Sequence, residues 1–120
     1  MRLMTRAKPL SNELMGLVAE RFRILGDPIR IHLLQEMQAG EKNVSELVAA
    51  VGSTQPNVSK HLRILQEAGI IGRRQVGNNG YYFIADAGVF ELCDAVCTSL
   101  RARLAAQSQV MAELERRGRR

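Results

Sequence analysis

The stretch that decides the fold is NVSELVAAVGSTQPNVSKHLRILQEAG, Asn43 to Gly69. It predicts two short helices joined by a tight turn. Asn43 followed by Glu46 fits a capping box, in which each side chain satisfies a free backbone N–H at the helix start. Leu47, Val48 and Val51 then line one apolar face. Gly52 supplies the left-handed residue that stops this helix. Thr54 caps the second helix, and Pro56 falls in its first turn, where no backbone donor is missed.

In the second helix Val58, Leu62 and Leu65 recur at four and three residues, so they share one face. At roughly 100° per residue, Pro56, Lys60, Arg63 and Glu67 point the other way, with Asn57 and Ser59 on the flanks. A helix-turn-helix has this layout: the apolar face packs on the domain and the other face enters the DNA major groove. Asn and Gln pair with adenine edges, and Arg and Lys with guanine or phosphate. An ordinary amphipathic helix with a solvated charged face has the same pattern in isolation. The residues that follow separate the two readings.

Gly69 ends the second helix, and Ile70 is placed to fold back as the hydrophobic partner of a glycine cap. Ile71 to Val76, the turn Gly77-Asn78-Asn79-Gly80, and Tyr81 to Ile84 predict a β-hairpin. Arg73 and Arg74 project from its first strand. A plain structural hairpin is one reading. A basic hairpin directly after a recognition helix is better read as a wing, which lies along the DNA backbone or minor groove.

Upstream, Ser11 caps a helix to about Leu25, with Leu14, Leu17, Val18, Phe22 and Leu25 as its apolar stripe. Gly26 stops it. Asp27 and Pro28 restart the chain as cap and first helical residue. Ile29, Leu33, Leu34 and Met37 mark the next helix, which ends at Gly40 and carries His32 in a structural role. Downstream, the last helix starts near Asp86 and runs beyond Leu104 toward Leu114. Its stripe is Val89, Cys93, Val96, Leu100 and Leu104, extended by Met111 and Leu114. So long an amphipathic helix has more apolar face than one small body covers, and pairing across a two-fold axis would cover it. The expected organisation is a flexible arm over 1–10, a DNA-binding and dimerisation domain over 11–110, and an Arg-rich tail over 111–120.

Composition agrees. The chain has 120 residues, of which 46% are apolar and 4% aromatic, so aliphatic side chains must fill the core. Its net charge of +5 favours a polyanionic partner, although Arg116, Arg117, Arg119 and Arg120 in the tail supply part of that excess. No apolar run approaches the roughly 18 residues that span a bilayer. There is no secretory leader pattern, and two cysteines are too few for a disulfide scaffold. A reduced, cytoplasmic protein away from membranes is expected. An enzyme is not: no Ser/His/Asp order and no phosphate loop are present. A module that binds an acidic protein would share the basic helix face, and salt dependence separates it from a DNA reader.

Together these residues resemble the ArsR/SmtB family of bacterial winged-helix repressors. The matching segments are FRILGDPIRIHLLQEM, VSELVAAVGSTQPNVSKHLRILQEAGII and the hairpin ending GNNGYYFI, spanning roughly Leu17 to Leu104. The run Gln-Pro-x-Val-Ser-x-His-Leu, Gln55 to Leu62, is specific for the family, and Asp27-Pro28-x-Arg30 is a second match. The resemblance implies a mainly α fold with a small β-hairpin, a winged helix-turn-helix dimerising through the first and last helices. It implies a homodimer that binds a double-stranded DNA operator, represses, and is released by an inducer. By position, Gln55, Asn57, Ser59, Lys60 and His61 would read bases and phosphates, and Arg63, Arg73 and Arg74 would serve the backbone. Ser59 and His61 could instead be partly packed.

The inducer site departs from the family's patterns. Where a Cys-x-Cys would stand, the chain has Lys42-Asn43-Val44-Ser45, and its last helix has no histidine. What remains is Cys93 and Cys97, four residues apart on one helix face, with Cβ atoms about 5–6 Å apart. No cofactor is required. Two thiolates there suit a thiophilic metal or metalloid ion as inducer, such as As(III) or Sb(III). A disulfide or persulfide switch is the redox alternative, and two small buried apolar residues with no sensing role are the third.

Overall fold

The computed structural model describes residues 8–118. Most of the expected N-terminal arm, residues 1–7, lies outside the described residues. The order of elements is α1 (Asn12–Leu25), α2 (Pro28–Gln38), β1 (Lys42–Asn43), α3 (Val44–Val51), α4 (Gln55–Glu67), β2 (Ile71–Val76), β3 (Asn79–Ile84) and α5 (Gly88–Gly118). The chain divides into two compact units at Ala85 and Asp86. That boundary falls inside the span 11–110 expected as one domain. The reason is that α5, 31 residues long, satisfies its backbone internally and forms a body of its own.

In the first unit the helix ends follow from local chemistry. The Ser11 hydroxyl accepts from the Leu14 amide at 3.1 Å, and the Asp27 carboxylate accepts from the Ile29 and Arg30 amides at 2.9 and 3.2 Å. The reciprocal box at α3 forms: the Asn43 Oδ1 accepts from the Glu46 amide and the Glu46 carboxylate from the Asn43 amide, each at 2.9 Å. Gly52, at φ +66°, closes α3 in the left-handed conformation that a side chain would strain. After α4, the Ile70 amide reaches back to the Leu65 carbonyl at 3.1 Å across Gly69, and Ile70 is fully buried. This is the six-to-one bond and hydrophobic closure of a glycine-capped helix end.

The core is aliphatic: Leu33, Leu34 and Met37 from α2, Leu47 from α3, Val58, Leu62 and Leu65 from α4, with Ile70 and Ile71. The sheet has three antiparallel strands in the order β1-β3-β2, not the two of a bare hairpin. Lys42 pairs with Tyr82 and Asn43 with Tyr81. The turn is also tighter than the four residues predicted. Val76 pairs with Asn79 and Gln75 with Gly80, which leaves only Gly77 and Asn78 between the strands, Gly77 at φ +60°. A two-residue connection of this kind matches the right-handed twist of the strands it joins.

The α1 stripe is not buried as drawn. Leu25 is buried, but Leu14, Leu17 and Phe22 are 44%, 69% and 51% exposed. His32 is also at the surface, with Nε2 3.6 Å from the Glu36 carboxylate one turn on.

In the second unit, the Asp86 carboxylate accepts from the Gly88 amide at 3.0 Å at the start of α5, as its capping role requires. The helix continues to Gly118, so residues 111–118, expected as a tail, are helical. Glu113 pairs with Arg116 and Arg117 at the three- and four-residue spacings that support a last turn. No described helix is long and apolar enough to cross a membrane.

Candidate nucleic-acid interface

Helix α4 separates its two faces cleanly. Val58, Leu62 and Leu65 are completely covered, while Gln55, Lys60 and Arg63 are exposed on the other side. Asn57 and Ser59 sit half-buried on the flanks, and the Asn57 Nδ2 donates to the Ser53 hydroxyl at 2.9 Å, tying the turn to the helix start. The far end is also fixed, by an Arg21 guanidinium N–H donated to the Ala68 carbonyl at 3.1 Å. The outer face is therefore offered by a helix held at both ends.

His61 is not on that face. It is 6% exposed, and among the described residues its buried Nδ1 has no hydrogen-bond partner. The cause is the helical period: three residues beyond Val58 and four before Leu65, His61 lies within the apolar stripe. This corrects the expectation that His61 reads DNA. Burial pushes its pKa down; the nearby Asp27 carboxylate opposes this, and Lys60 and Arg30 reinforce it. Asp27 responds in the opposite way. Partial burial favours its neutral form, but the Arg30 and Ile29 amides, with the charges of His61 and Arg30, hold its carboxyl below the ordinary range.

The two wing arginines differ. The Arg73 guanidinium lies over the Tyr82 ring, 5.9 Å from its centroid, within cation–π range. It also passes close over Gly80, where a Cβ would collide with it, so the glycine makes room for this cation. Arg74, next along the strand and on the opposite sheet face, donates through Nε to the Glu41 carboxylate at 2.7 Å. Arg73 borders a polar recess of about 130 Å³ with Asn43, Val44 and Ser45 at the start of α3 and Asn78, Asn79 and Gly80 of the wing. The sequence reading missed this juxtaposition, because it depends on β1 pairing with β3. The signal was the short polar Lys42-Asn43 segment directly before the α3 cap.

On α5, Cys93 and Cys97 are free thiols, both half-buried and one turn apart. Among the described residues no group of three or more His, Cys, Asp or Glu is placed to hold a metal ion.

Comparison with known proteins places this geometry. The profile of the arsR family of bacterial regulatory proteins matches residues 27–72. A Mycobacterium tuberculosis HTH-type regulator, Rv0081, is 36% identical over 95 residues, covering 78% of this chain and 82% of that protein. The chain belongs to the arsR family. It is thereby a DNA-binding transcriptional regulator and not an enzyme. The Rv0081 crystal structure superposes with a TM-score of 0.69 over 81% of this chain and 97% of its own. The homodimeric winged helix-turn-helix domain of Mycobacterium bovis Mb0332 gives 0.67 at 26% identity, over 82% of this chain and 91% of its own. A Streptomyces lividans protein, described as a probable mercury resistance operon repressor, is 39% identical over 62% of this chain. This chain spans 59% of that protein's length.

Proposed function

We propose that this protein is a homodimeric, cytoplasmic repressor that binds an operator through the outer face of α4. The observation that carries the reading is the division of that helix, with three aliphatic residues fully covered and Gln55, Lys60 and Arg63 open. Gln55, Asn57 and Lys60 would face base edges, with Ser59 and Arg63 toward the flanking backbone. A phosphate beside the recess at the start of α3 would meet the Arg73 guanidinium and the partly positive helix end. Arg74 would serve the backbone from the other face of the wing. The +5 net charge supports a polyanionic partner.

Lys60→Ala should weaken operator binding by about 1–3 kcal/mol, and Arg63→Ala should weaken binding to all sequences alike and reduce the salt slope by about one. Binding is measured by titration at several salt concentrations. Unchanged affinity and salt slope in both variants would remove this face from the contact.

For the inducer, the reading is a thiophilic metal or metalloid ion, such as As(III) or Sb(III), held by Cys93 and Cys97. Support comes from their shared helix face and from the soft character of thiolates. The likeness to a probable mercury repressor adds to it. Two sulfurs do not complete a site, so the partner copy would add donors. The double variant Cys93→Ser, Cys97→Ser should bind operator like the parent and no longer release it on adding As(III) or an oxidant. Retained release would end the thiol proposal. If the parent responds to disulfide or polysulfide and not to ions, the redox alternative replaces the metal.

A further inference from the structure

Of the five asparagines in the chain, only Asn79 is followed by glycine. The pair stands where the wing begins its return strand, and Asn79 is exposed. Among the described residues nothing hydrogen-bonds its carboxamide. The strand register frees the next backbone amide as well. Val76 and Asn79 close the two-residue turn, and such a closing pair exchanges both of its backbone hydrogen bonds. Opposed pairs then alternate, so the Gly80 N–H, opposite Gln75, points away from β2. On that other side β1 pairs only with Tyr81 and Tyr82 and stops short of Gly80. The Gly80 nitrogen therefore lies outside the ladder. No side chain screens it, because a Cβ at Gly80 would meet the Arg73 guanidinium.

We infer that Asn79 is a site of self-modification that limits the life of the wing as a DNA contact. The Gly80 nitrogen gives up its proton to solvent and attacks the carbonyl carbon of the Asn79 side chain. The new N–C bond closes a succinimide ring as the bond to Nδ2 breaks and ammonia leaves. Water then opens the ring at either carbonyl, giving aspartate or isoaspartate, so the net change is water in and ammonia out. The other asparagines are less suited. The amide that would attack Asn78 belongs to Asn79 and is held by Val76 in the closing pair. Asn12, Asn43 and Asn57 precede Glu13, Val44 and Val58, whose side chains crowd the attack. Either product adds a negative charge to a wing tip that borders the same recess as Arg73. Isoaspartate also routes the backbone through the side-chain methylene, which spoils the register beside the turn. The effect on DNA rests on the operator reading above; the chemistry does not.

The test ages the folded full chain in mildly alkaline buffer beside Asn79→Gln. It reads peptide masses, isoaspartate content and binding to a duplex of the protein's own promoter region. The parent should gain aspartate and isoaspartate at Asn79 ahead of every other asparagine. Its affinity should fall about threefold or more, as a phosphate contact comes to be opposed by charge. Fresh Asn79→Asp should start at that weakened value, and Asn79→Gln should keep its own fresh affinity on ageing. Circular dichroism checks that every sample is folded. An unmodified Asn79 in the folded parent, under conditions that convert it in urea, overturns the site. Modification with no loss of affinity overturns the consequence and leaves the operator reading standing. A fresh parent that binds no duplex overturns the consequence together with the operator reading, while the peptide masses still judge the site.

Discussion

Helices α4 and α5 are both amphipathic, and they treat their apolar stripes in opposite ways. Val58, Leu62 and Leu65 of α4 are wholly covered by their own unit, whereas Leu100, Leu104, Met111 and Leu114 of α5 are open by half or more. A stripe satisfied within the chain stabilises the monomer and orients whatever the opposite face carries. A stripe left open is a surface for something else. The same contrast divides the polar groups: Arg74 has an internal carboxylate partner, while among the described residues Arg73 has only an aromatic support and an open recess.

The sharpest break in that comparison is volume removal. Leu62→Ala should lower the unfolding free energy by about 2–5 kcal/mol, from lost transfer energy and the cavity left behind, at any protein concentration. Leu104→Ala should instead change how the thermal midpoint depends on concentration, with little effect at the dilute limit. Equal, concentration-independent losses in both would erase the distinction between the two helices.

Among the charges, Arg73→Ala should weaken binding to all sequences alike and reduce the salt slope by about one. Arg74→Ala should do less, because its guanidinium must first leave Glu41. Salt-dependent titrations of the two variants decide this, and a larger effect at Arg74 would reverse the assignment of wing faces.

The smallest expected effect is a pH dependence from His61. Its folded pKa is depressed by burial, so the unfolded chain takes up a proton first on acidification. Its contribution is intact above about pH 6.5, the free histidine value, and is lost as pH falls from there toward the depressed folded value. Chemical denaturation across pH 7.5 to 5 should show stability falling, with the slope reduced in His61→Phe. The depressed Asp27 acts in a separate window, below roughly pH 4. An identical slope in the variant would assign the dependence to another group.

Much of the first unit was legible because its signals are local. The Asn43–Glu46 box, the Asp27-Pro28 start and the Gly69–Ile70 closure each need only a few adjacent residues, and each is present. The missed features are non-local. Pairing of β1 with β3 joins residues about forty positions apart, and Glu41 finds Arg74 through the same fold. His61 had two readings, a DNA contact and a partly packed side chain. The helical period placed it beside the apolar stripe, but the motif suggested a reader, and packing decided the matter. The contacts proposed for Gln55, Lys60 and Arg63 depend on a partner molecule, so the chain can show their exposure but not their use.

The two-residue strand β1 has a mechanical consequence. Asn43 both begins α3 and pairs with Tyr81 of the wing, so the hairpin cannot swing without dragging the first turn of the helix pair. Probe and brace are thus welded at one residue, like the jaws of a caliper set to one gauge. A duplex with a groove of the wrong width would have to deform to be gripped, which would let this protein discriminate by the stiffness of its target as well as by its letters.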